Sequence, residues 1–465
     1  MLSKIRIFGI GIVLFAIFWG FVAMPTVSAS PGETSRIKIS ELRPHSPITI
    51  EKDSDFNFAN GVVSGSGTEW DPYIIEGWEI FGSDDPQNYD TAIQILPTKK
   101  YFLIRNCVIH FGYIGIRLGS CSHAIIENNT IIDTRRFGID LAGCSDIVCK
   151  NNHILNHKGY ACIELEVWHG NNGNIPCEDV RIFSNIFEGG LGVDVQFGHR
   201  VVIASNWIRA DCGILTCEAY NLKVFSNNFC ILQAFVSAYD GEIIHNNFFT
   251  NQTKGCNGKP PIECASSQFC DTIFYNASKK EGNYWQNWDG KNWGTPEAYP
   301  IPTSAYDLYP LSNPLKNATP FIELPMKIRS GESIFGKIWI CDENGKGIHD
   351  FYVEITIQLP DGTPIFYRHL LTDGNGSAEF KLQLPKEIEK HRICVVISGT
   401  KSEYLDVYSE EFSFIVSNDE SNNIFTNNIF FIVEIVAVIL PSATVIVGVR
   451  WLRKKRRKMD GTKKI

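Results

Sequence analysis

The stretch that decides the fold is "AIIENNTIIDTRRFGIDLAGCSDIVCKNNHIL", from Ala124 to Leu155. It contains one pattern twice, an apolar run that ends in a pair of asparagines, Asn128-Asn129 and then Asn151-Asn152, 23 residues later. Between the pairs, short alternating runs rich in Ile and Phe are separated by Gly and Ser, which is typical of short β-strands. A repeat of this length is too short for a pair of helices and predicts stacked β-coils.

The same pattern recurs on both sides of this stretch. Its anchor positions are Cys107, Asn129, Asn152, Asn185, Asn206, Asn227 and Asn246. The spacings are 19 to 23 residues, except for one of 33 that contains the insertion "WHGNNGNIPC", Trp168–Cys177. Coils of two or three strands stack as a parallel β-helix, in which each coil buries its apolar face against its neighbours. We therefore interpret the asparagines as turn residues that also form a hydrogen-bonded ladder along the axis.

Three stretches carry a resemblance to a known family: "GVVSGSGTEWDPYIIEGWEI" from Gly61, the Asn-Asn coils, and "EGNYWQNWDG" from Glu281 followed by "YDLYPLSNP" from Tyr306. Together they resemble right-handed parallel β-helix proteins of the NosD-like, carbohydrate-binding and sugar-hydrolase group, in the form common among archaeal surface proteins. The resemblance implies an all-β, right-handed parallel β-helix over residues 36–314. The large aromatic residues after Gly282 would cover its last coil.

After residue 320 the pattern changes to longer alternating strands joined by turns such as "PDGT" and "TDGNGS". This predicts an all-antiparallel sandwich of about seven strands over residues 320–416, which resembles immunoglobulin-like domains of surface proteins. Cys341 and Cys394 fall in separate strands, and we predict a disulfide between them. Cys121 and Cys144 share a register one coil apart, where either a buried thiol stack or a bridge is compatible with the spacing.

The two ends of the chain predict a single-pass membrane protein. Basic residues precede an apolar run at the N-terminus, as in a signal peptide. A second apolar segment near the C-terminus is long enough to cross a bilayer, and the basic residues after it favour a cytoplasmic tail. The predicted segments are a signal peptide at 1–29, a linker at 417–428, a transmembrane helix at 429–449 and a basic tail at 450–465.

Charge restricts the partners of the exterior region. The whole chain has a formal charge of −8, but without the basic tail, the N-terminal Lys4 and Arg6 and Glu434 of the predicted transmembrane helix, the exterior region has a charge of −17. So acidic a surface repels nucleic acid, and we expect no nucleic-acid partner.

The second strands of successive coils align as "GIRL", "GIDL", "CIEL" and "GVDV". Their second and fourth residues are apolar and should face the core, so that the third faces outward. This places Arg117, Asp140, Glu164 and Asp194 in one column, which Leu215 and Ser237 would continue. Three carboxylates about 4.8 Å apart raise one another's pKa or attract a cation, and oxygen ligands suit Ca²⁺. The alternative is a charged, solvated strand surface.

If this column is catalytic, the resemblance implies a polysaccharide lyase or uronate epimerase in which Arg117, Asp140, Glu164 and Asp194 act on an acidic glycan, with Asp140, Glu164 and Asp194 as Ca²⁺ ligands. The signatures of related sugar hydrolases are missing; "GHR" at Gly198 is the nearest fragment. We therefore favour a non-enzymatic surface protein that binds a glycan or a cell-surface partner. Trp168 and His169 on the insertion are the candidate ligand-binding residues, since exposed aromatic rings stack on sugars. Copper handling is a third hypothesis, weakened by scattered histidines.

Overall fold

The computed structural model describes residues 42–416, apart from residues 86, 171–172, 237, 251–262, 265–271, 280, 287–298, 302–304, 325–326, 329–332, 359–363 and 384–391. The predicted signal peptide, linker, transmembrane helix and basic tail all lie outside these residues. Within them, no helix is long and apolar enough to cross a membrane. The only helical segments in the described part are two short 3₁₀ turns, Asp53–Asp55 and Phe58–Asn60.

The first part of the chain is a succession of short strands that wind into coils. In the first four coils the strands are β1 (Arg43–His45), β2 (Ile48–Ile50), β3 (Val62–Ser64), β4 (Tyr73–Glu76), β5 (Trp78–Phe81), β6 (Thr91–Ile95), β7 (Phe102–Arg105), β8 (Val108–His110), β9 (Ile114–Gly119), β10 (Ser122–Glu127), β11 (Thr130–Ile132) and β12 (Phe137–Ala142). The next coils contain β13 (Ser145–Lys150), β14 (His153–Glu166), β15 (Trp168–Gly170), β16 (Gly173–Ile175), β17 (Cys177–Phe183), β18 (Ile186–Val195), β19 (Gly198–His199), β20 (Val202–Ala204) and β21 (Trp207–Thr216). The last are β22 (Ala219–Tyr220), β23 (Lys223–Phe225), β24 (Asn228–Val236), β25 (Ala238–Tyr239), β26 (Glu242–Ile244), β27 (Asn247–Thr250), β28 (Glu263–Cys264), β29 (Tyr284–Trp285), β30 (Tyr299–Ile301) and β31 (Ala305–Asp307).

These strands form a parallel β-helix with three strands in a typical coil. Strands β7, β10, β13 and β17 pair in parallel on one face. Strands β8 and β11 lie on a second face, β9 and β12 lie on a third, and β14 runs through the corner between those two. The buried Ile, Val, Leu and Phe side chains of all three faces join one continuous apolar core. Each coil therefore depends on the next for burial, as the repeat predicts.

The predicted asparagine ladder is present and continuous. Asn129 Nδ2 donates to Asn152 Oδ1 at 3.1 Å, and equivalent bonds of 3.0–3.1 Å connect all its successors. Its members are Asn129, Asn152, Asn185, Asn206, Asn227, Asn246 and Asn283. Each Oδ1 after the first also accepts the backbone N–H of the preceding asparagine, as Asn152 does for Asn129 at 3.0 Å. The ladder thus satisfies buried backbone groups at the corner of every coil, where no sheet partner is available.

The residue before each ladder asparagine explains why these positions occur in pairs. Asn128 has φ 55° and Ser205 has φ 56°, both in the left-handed region. Asn tolerates this conformation better than most residues because its short side chain bonds locally. The first residue of each pair therefore turns the chain, and the second bonds along the axis.

The end of the β-helix is closed by the stretch that resembled a cap. Asp307 Oδ2 accepts the backbone N–H of Asn283 and the indole N–H of Trp285, both at 2.8 Å. Trp285 is 1% exposed and stacks on Phe248 with ring centroids 4.4 Å apart. Burial raises the pKa of Asp307 to about 6. The predicted capping by large aromatic residues after Gly282 is confirmed for Trp285, and the carboxylate of Asp307 terminates the ladder.

The buried cysteines of the coils, Cys107, Cys121, Cys144, Cys149, Cys162 and Cys177, are free thiols. Cys121, Cys144 and Cys177 are free and buried in one register, and each Sγ contacts a carbonyl of the preceding coil, such as that from Cys144 to Leu118 O at 3.3 Å. Of the two arrangements compatible with the spacing of Cys121 and Cys144, the structure has the buried thiol stack. Burial raises the pKa of Cys177 to about 12, so this thiol stays protonated and unreactive.

The second part of the chain is a two-sheet sandwich. Its strands are β32 (Ala318–Glu323), β33 (Lys327–Ile328), β34 (Ser333–Asp342), β35 (Tyr352–Gln358), β36 (Pro364–Leu371), β37 (Ser377–Gln383), β38 (Arg392–Thr400) and β39 (Val407–Val416). The sheets are β32-β34-β37 and β33-β39-β38-β35-β36, packed around a separate apolar core. The prediction of an all-antiparallel sandwich is wrong in one place, because β33 runs parallel to β39.

The predicted Cys341–Cys394 disulfide needs correction, because Cys341 is a free thiol. Ile338 and Ile340 are fully buried in the sandwich core. Since side chains alternate along a strand, Cys341 points away from that core and from the sheet that contains Cys394. Alternation places the thiol on the wrong face for a bridge across the sandwich.

The two parts of the chain contact each other at the last coils. His245 Nδ1 lies 2.6 Å from Asp406 Oδ2 of the sandwich, and its Nε2 lies 3.2 Å from Glu281 Oε2. Tyr408 packs edge-on against Phe183 and Phe225. Burial lowers the pKa of His245, but the hydrogen bond to Asp406 and the two carboxylate charges outweigh it and raise the pKa overall. His245 therefore joins the β-helix to the sandwich, and its two carboxylate neighbours favour the protonated form of the ring.

We predict that His245→Asn weakens this junction by about 2 kcal/mol, because it removes hydrogen bonds between charged groups. Asn suits the left-handed turn that His245 occupies (φ 54°), so the change isolates the lost ion pairs. The raised pKa makes the difference largest below pH 6.5 and smaller as the pH rises through the pKa of folded His245. Chemical denaturation at several pH values measures it. Ser205→Asn, at the same turn position of another coil, is the control; equal effects of the two changes would contradict the prediction.

Candidate functional site

The acidic column predicted from the coil alignment is present in register. Arg117 pairs with Asp140, Asp140 with Glu164, and Glu164 with Asp194, each on adjacent parallel strands. The flanking apolar residues, such as Ile139 and Leu141, are buried in the β-helix core. The four side chains therefore form one line along the outer face of the coils.

The column ends earlier than the alignment predicts. Leu215 follows Asp194, as expected, but Leu215 then pairs with Phe235 and not with Ser237. The register shifts between Cys212 and Leu215, because β24 is shorter than β21. Ser237 lies outside the described residues, and its place in the column was wrong.

The expectation that this column faces water also needs correction. Asp140 and Asp194 are 0% exposed and Glu164 is 1% exposed. Arg117 Nη1 lies 3.1 Å from Asp140 Oδ2, and Gln196 Nε2 donates to Glu164 Oε1 at 2.8 Å. Tyr160, half exposed itself, lies over the lower end near Asp194. Tyr160 belongs to an irregularity in β14 between Asn156 and Ala161. A fixed repeat length does not reveal such an irregularity.

Burial changes the chemistry of these carboxylates. It raises the pKa of Asp140 to about 7, with Arg117 opposing the shift. It raises the pKa of Glu164 to about 9, together with the neighbouring charge of Asp194, whose own pKa is also raised by burial. Glu164 is consequently protonated at neutral pH, beside Asp194 on the adjacent strand. Glu164 and Asp194 are therefore an acid pair, two adjacent buried carboxyl groups of which Glu164 holds a proton.

The predicted calcium site finds no support in this arrangement. Arg117 also contacts Glu166 Oε1 at 3.3 Å, so the fourth carboxylate near the column is already paired with a cation. Across the part of the chain that the structure describes, no group of three or more His, Cys, Asp or Glu side chains is arranged to hold a metal ion. Asp140, Glu164 and Asp194 form a line and not a cage, and Ca²⁺ binding there stays a prediction.

The insertion folds as a hairpin on the outside of the coils. β15 and β16 pair in antiparallel fashion, and His169 Nδ1 lies 2.9 Å from Asn174 Oδ1 across them. Trp168 is half-buried because its ring covers Gly119, where a Cβ would come within 2.6 Å of the indole. His169 is exposed. Trp168 thus fixes the hairpin to the coils, whereas His169 is available to a ligand.

A groove of about 540 Å³ lies beside the base of this hairpin. One wall consists of Val167, Asn174 and Pro176, and the opposite wall includes Phe197, His199 and Tyr220. Arg200, Glu218 and Asn221 add polar groups at the rim. Small-ligand sites typically combine such apolar walls with a few polar groups.

An aromatic column runs along the coil axis at this groove. His199, Tyr220 and Tyr239 are paired residues of three successive coils. Tyr220 stacks on Tyr239 with centroids 4.7 Å apart and planes 12° from parallel, and His199 packs edge-on against Tyr220 at 5.1 Å. Tyr220 is 38% exposed. The rings cover one another's faces, so the column presents the ring edges and the hydroxyl group of Tyr220 to the groove.

Sequence reasoning missed this column although a signal for it exists. The residues lie in "GHR", "EAYN" and "SAYD", and His199, Tyr220 and Tyr239 are spaced 21 and then 19 residues apart. Asn206, Asn227 and Asn246 have the same spacings. The fragment "GHR" thus marks a position in the repeat, which its likeness to a catalytic signature obscures.

Comparison with known proteins agrees with this architecture. Residues 49–189 match the family model described as the right handed beta helix region. The described part of the chain is thus an all-β protein with a right-handed parallel β-helix. No curated protein shows a significant match to the sequence.

Two solved structures are similar to this chain. One is PfbA, a surface adhesin of Streptococcus pneumoniae, at 11% identity and a TM-score of 0.29, covering 41% of this chain and 64% of the adhesin. The other is the enzymatically active domain of tailspike protein 2 of bacteriophage CBA120, at 10% identity and a TM-score of 0.26, covering 73% of this chain and 64% of that domain. The chain therefore spans less than two thirds of the length of either.

Proposed function

We propose that this protein is a membrane-anchored cell-surface protein whose β-helix binds a glycan, or a glycan-bearing surface partner, without chemically changing it. The observation that carries this proposal is the groove between the hairpin and the aromatic column. Its walls offer apolar side chains and the exposed edge of Tyr220 next to amide, carboxylate and guanidinium groups, which is the combination of surfaces that sugars contact. The sandwich holds the β-helix away from the anchor at residues 429–449.

The closed acidic column favours binding over catalysis. A polysaccharide lyase or epimerase would need Arg117 and Asp140 to reach a sugar ring, but Arg117 is paired with Asp140 and Glu166. Asp140 and Asp194 have no exposed surface. A substrate would have to displace the side chains that cover the column before any proton transfer.

We expect Trp168→Ala to weaken glycan binding by about tenfold, because the hairpin loses its contact with Gly119 and the groove loses a fixed wall. Titration calorimetry of the full-length protein in detergent, with oligosaccharides first selected on a glycan array, measures the change. Trp70→Ala is the control, because it removes another surface tryptophan (49% exposed) that lies on an early coil and does not line the groove. Absence of glycan binding, or equal losses in both variants, would refute the proposal.

The catalytic alternative has a separate test. Incubation of the full-length protein with uronate polymers, with and without Ca²⁺, should yield no unsaturated or epimerised product. Turnover that Asp140→Ala abolishes would replace binding by lyase or epimerase activity as the function of this β-helix.

A further inference from the structure

We propose that Asn375 of the sandwich is a glycosylation site, at which an oligosaccharide is attached to the side-chain amide nitrogen. Asn375, Gly376 and Ser377 form the tripeptide Asn-x-Ser, the acceptor pattern for N-linked oligosaccharides in exported proteins. This inference rests on the exterior location given in the proposed function, because only exported segments receive such oligosaccharides. It concerns a covalent modification of the sandwich and not the ligand of the β-helix.

The tripeptide pattern alone does not select one acceptor. Within the described residues it begins at four positions, Asn128, Asn276, Asn317 and Asn375. Asn317 Oδ1 accepts a hydrogen bond from Asn228 at 2.9 Å, so its side chain fastens the segment before the sandwich to the β-helix. Asn276 Oδ1 accepts the backbone N–H of Ser278 at 3.1 Å, so its side chain belongs to a local turn.

Asn128 is half-buried at a corner of the coils. Asn106 and Asn151 occupy the same left-handed turn position in the coils on either side of it. Neighbouring coils are about 4.8 Å apart, which leaves little room for an oligosaccharide at Asn128.

Asn375 lies at the tip of the turn that connects β36 to β37. Asp373 fixes this turn, because its Oδ1 accepts the backbone N–H groups of Asn375 and Ser377, each at 2.9 Å. Gly376 packs closely on the neighbouring loop, where a Cβ would lie 2.5 Å from the Cα of Gly347. The side chain of Asn375 is exposed and hydrogen-bonds to no residue that the structure describes. Its amide nitrogen can therefore hold an oligosaccharide in solvent without breaking a hydrogen bond of the sandwich.

The buried hydroxyl of Ser377 indicates when the attachment takes place. Ser377 is 7% exposed, and its Oγ donates to Asp373 Oδ2 at 2.9 Å. The transferring enzyme must reach this hydroxyl as well as the amide of Asn375, so it acts before the sandwich folds. In the reaction, Asn375 Nδ2 bonds to the first carbon of the sugar and loses one proton. The bond from that carbon to the phosphate of a lipid-linked oligosaccharide breaks, the lipid phosphate leaves, and no atom is oxidised or reduced.

The test is peptide mass spectrometry of the full-length protein, purified from membranes of the organism that makes it. We expect most copies of the peptide that contains Asn375 to carry added sugar mass, and no such mass on the peptides that contain Asn128, Asn276 and Asn317. Ser377→Ala and Asn375→Gln should each abolish the added mass, whereas Ser377→Thr, which keeps the acceptor pattern, should retain it.

The sandwich contains a matched control in the turn around Asn344. Asp342 Oδ1 accepts the backbone N–H groups of Asn344 and Lys346, each at 2.9 Å, as Asp373 does for Asn375 and Ser377. Asn344 is also exposed, but the third residue of its tripeptide is Lys346. Asn344 should therefore be unmodified in the wild type, and Lys346→Ser should add sugar mass to it.

Labelling of intact cells with a membrane-impermeant reagent measures the location of the sandwich separately. An exterior sandwich in which Asn375 is unmodified would overturn this inference and leave the proposed function standing. The same holds for a glycan on Asn276 or Asn317 in place of Asn375, and for added mass that Ser377→Ala retains. A sandwich that does not lie outside the cell would overturn both proposals.

Discussion

Replacing Asn206 by alanine should destabilise the β-helix by about 3 kcal/mol or more, the largest single-residue effect that we expect outside the apolar core. Asn206 lies in the middle of the ladder and is 1% exposed. Its Nδ2 donates to Ile182 O and Asn227 Oδ1, and its Oδ1 accepts the backbone and side-chain N–H groups of Asn185. Alanine leaves the carbonyl of Ile182 and the backbone N–H of Asn185 buried without these partners, and such groups are costly to bury.

Urea denaturation followed by circular dichroism measures this loss. Asn174→Ala is the control, because Asn174 lies exposed in the hairpin and outside the ladder. It should change the free energy of unfolding by less than about 0.5 kcal/mol. If Asn206→Ala lowers the free energy of unfolding by less than about 1 kcal/mol, the ladder contributes little to stability, and the packing of the coils alone stabilises the β-helix.

The second large effect comes from the acid pair of Glu164 and Asp194. We expect the free energy of unfolding to fall as the pH rises. Glu164 has a pKa of about 9 in the folded protein against an ordinary value of 4.5, so between these values the folded state holds a proton that the unfolded state releases. Stability contributed by this proton is complete below about pH 4.5 and is lost as the pH approaches about 9. Glu164→Gln replaces the proton by a permanent donor and should make the protein more stable than the wild type by about 2 kcal/mol near pH 9.

The measurement is the free energy of unfolding of wild type and Glu164→Gln as a function of pH. Glu218→Gln, at an exposed position of the groove rim, should leave the pH profile unchanged. If Glu164→Gln destabilises the protein equally at every pH, then Glu164 is ionised in the folded state and is paired with a cation.

The sequence predicts the architecture well because its repeats record local turn chemistry. Each Asn-Asn or Ser-Asn pair encodes a left-handed turn followed by a ladder residue, and this chemistry needs no knowledge of distant parts of the chain. Asp307 could not be predicted as the end of the ladder, because it is contributed by a segment 24 residues beyond Asn283. Only the folded chain shows that its carboxylate replaces the next asparagine.

The register of Arg117, Asp140, Glu164 and Asp194 was also predictable, but their burial was not. Periodicity states which face of a strand a side chain occupies and not whether another segment covers that face. The irregularity in β14 that precedes Ala161 and the hairpin that begins at Trp168 are both departures from the repeat. The first places Tyr160 near Asp194, and the second supplies Asn174 to the lining of the groove.

The most direct test of the central claim is a crystal structure of the protein with a bound oligosaccharide. We predict electron density for sugar units in the groove, between the exposed edge of Tyr220 and the wall formed by Val167 and Pro176. Density over Arg117 and Asp140, with the acidic column opened to admit the sugar, would contradict this account and assign the β-helix to catalysis.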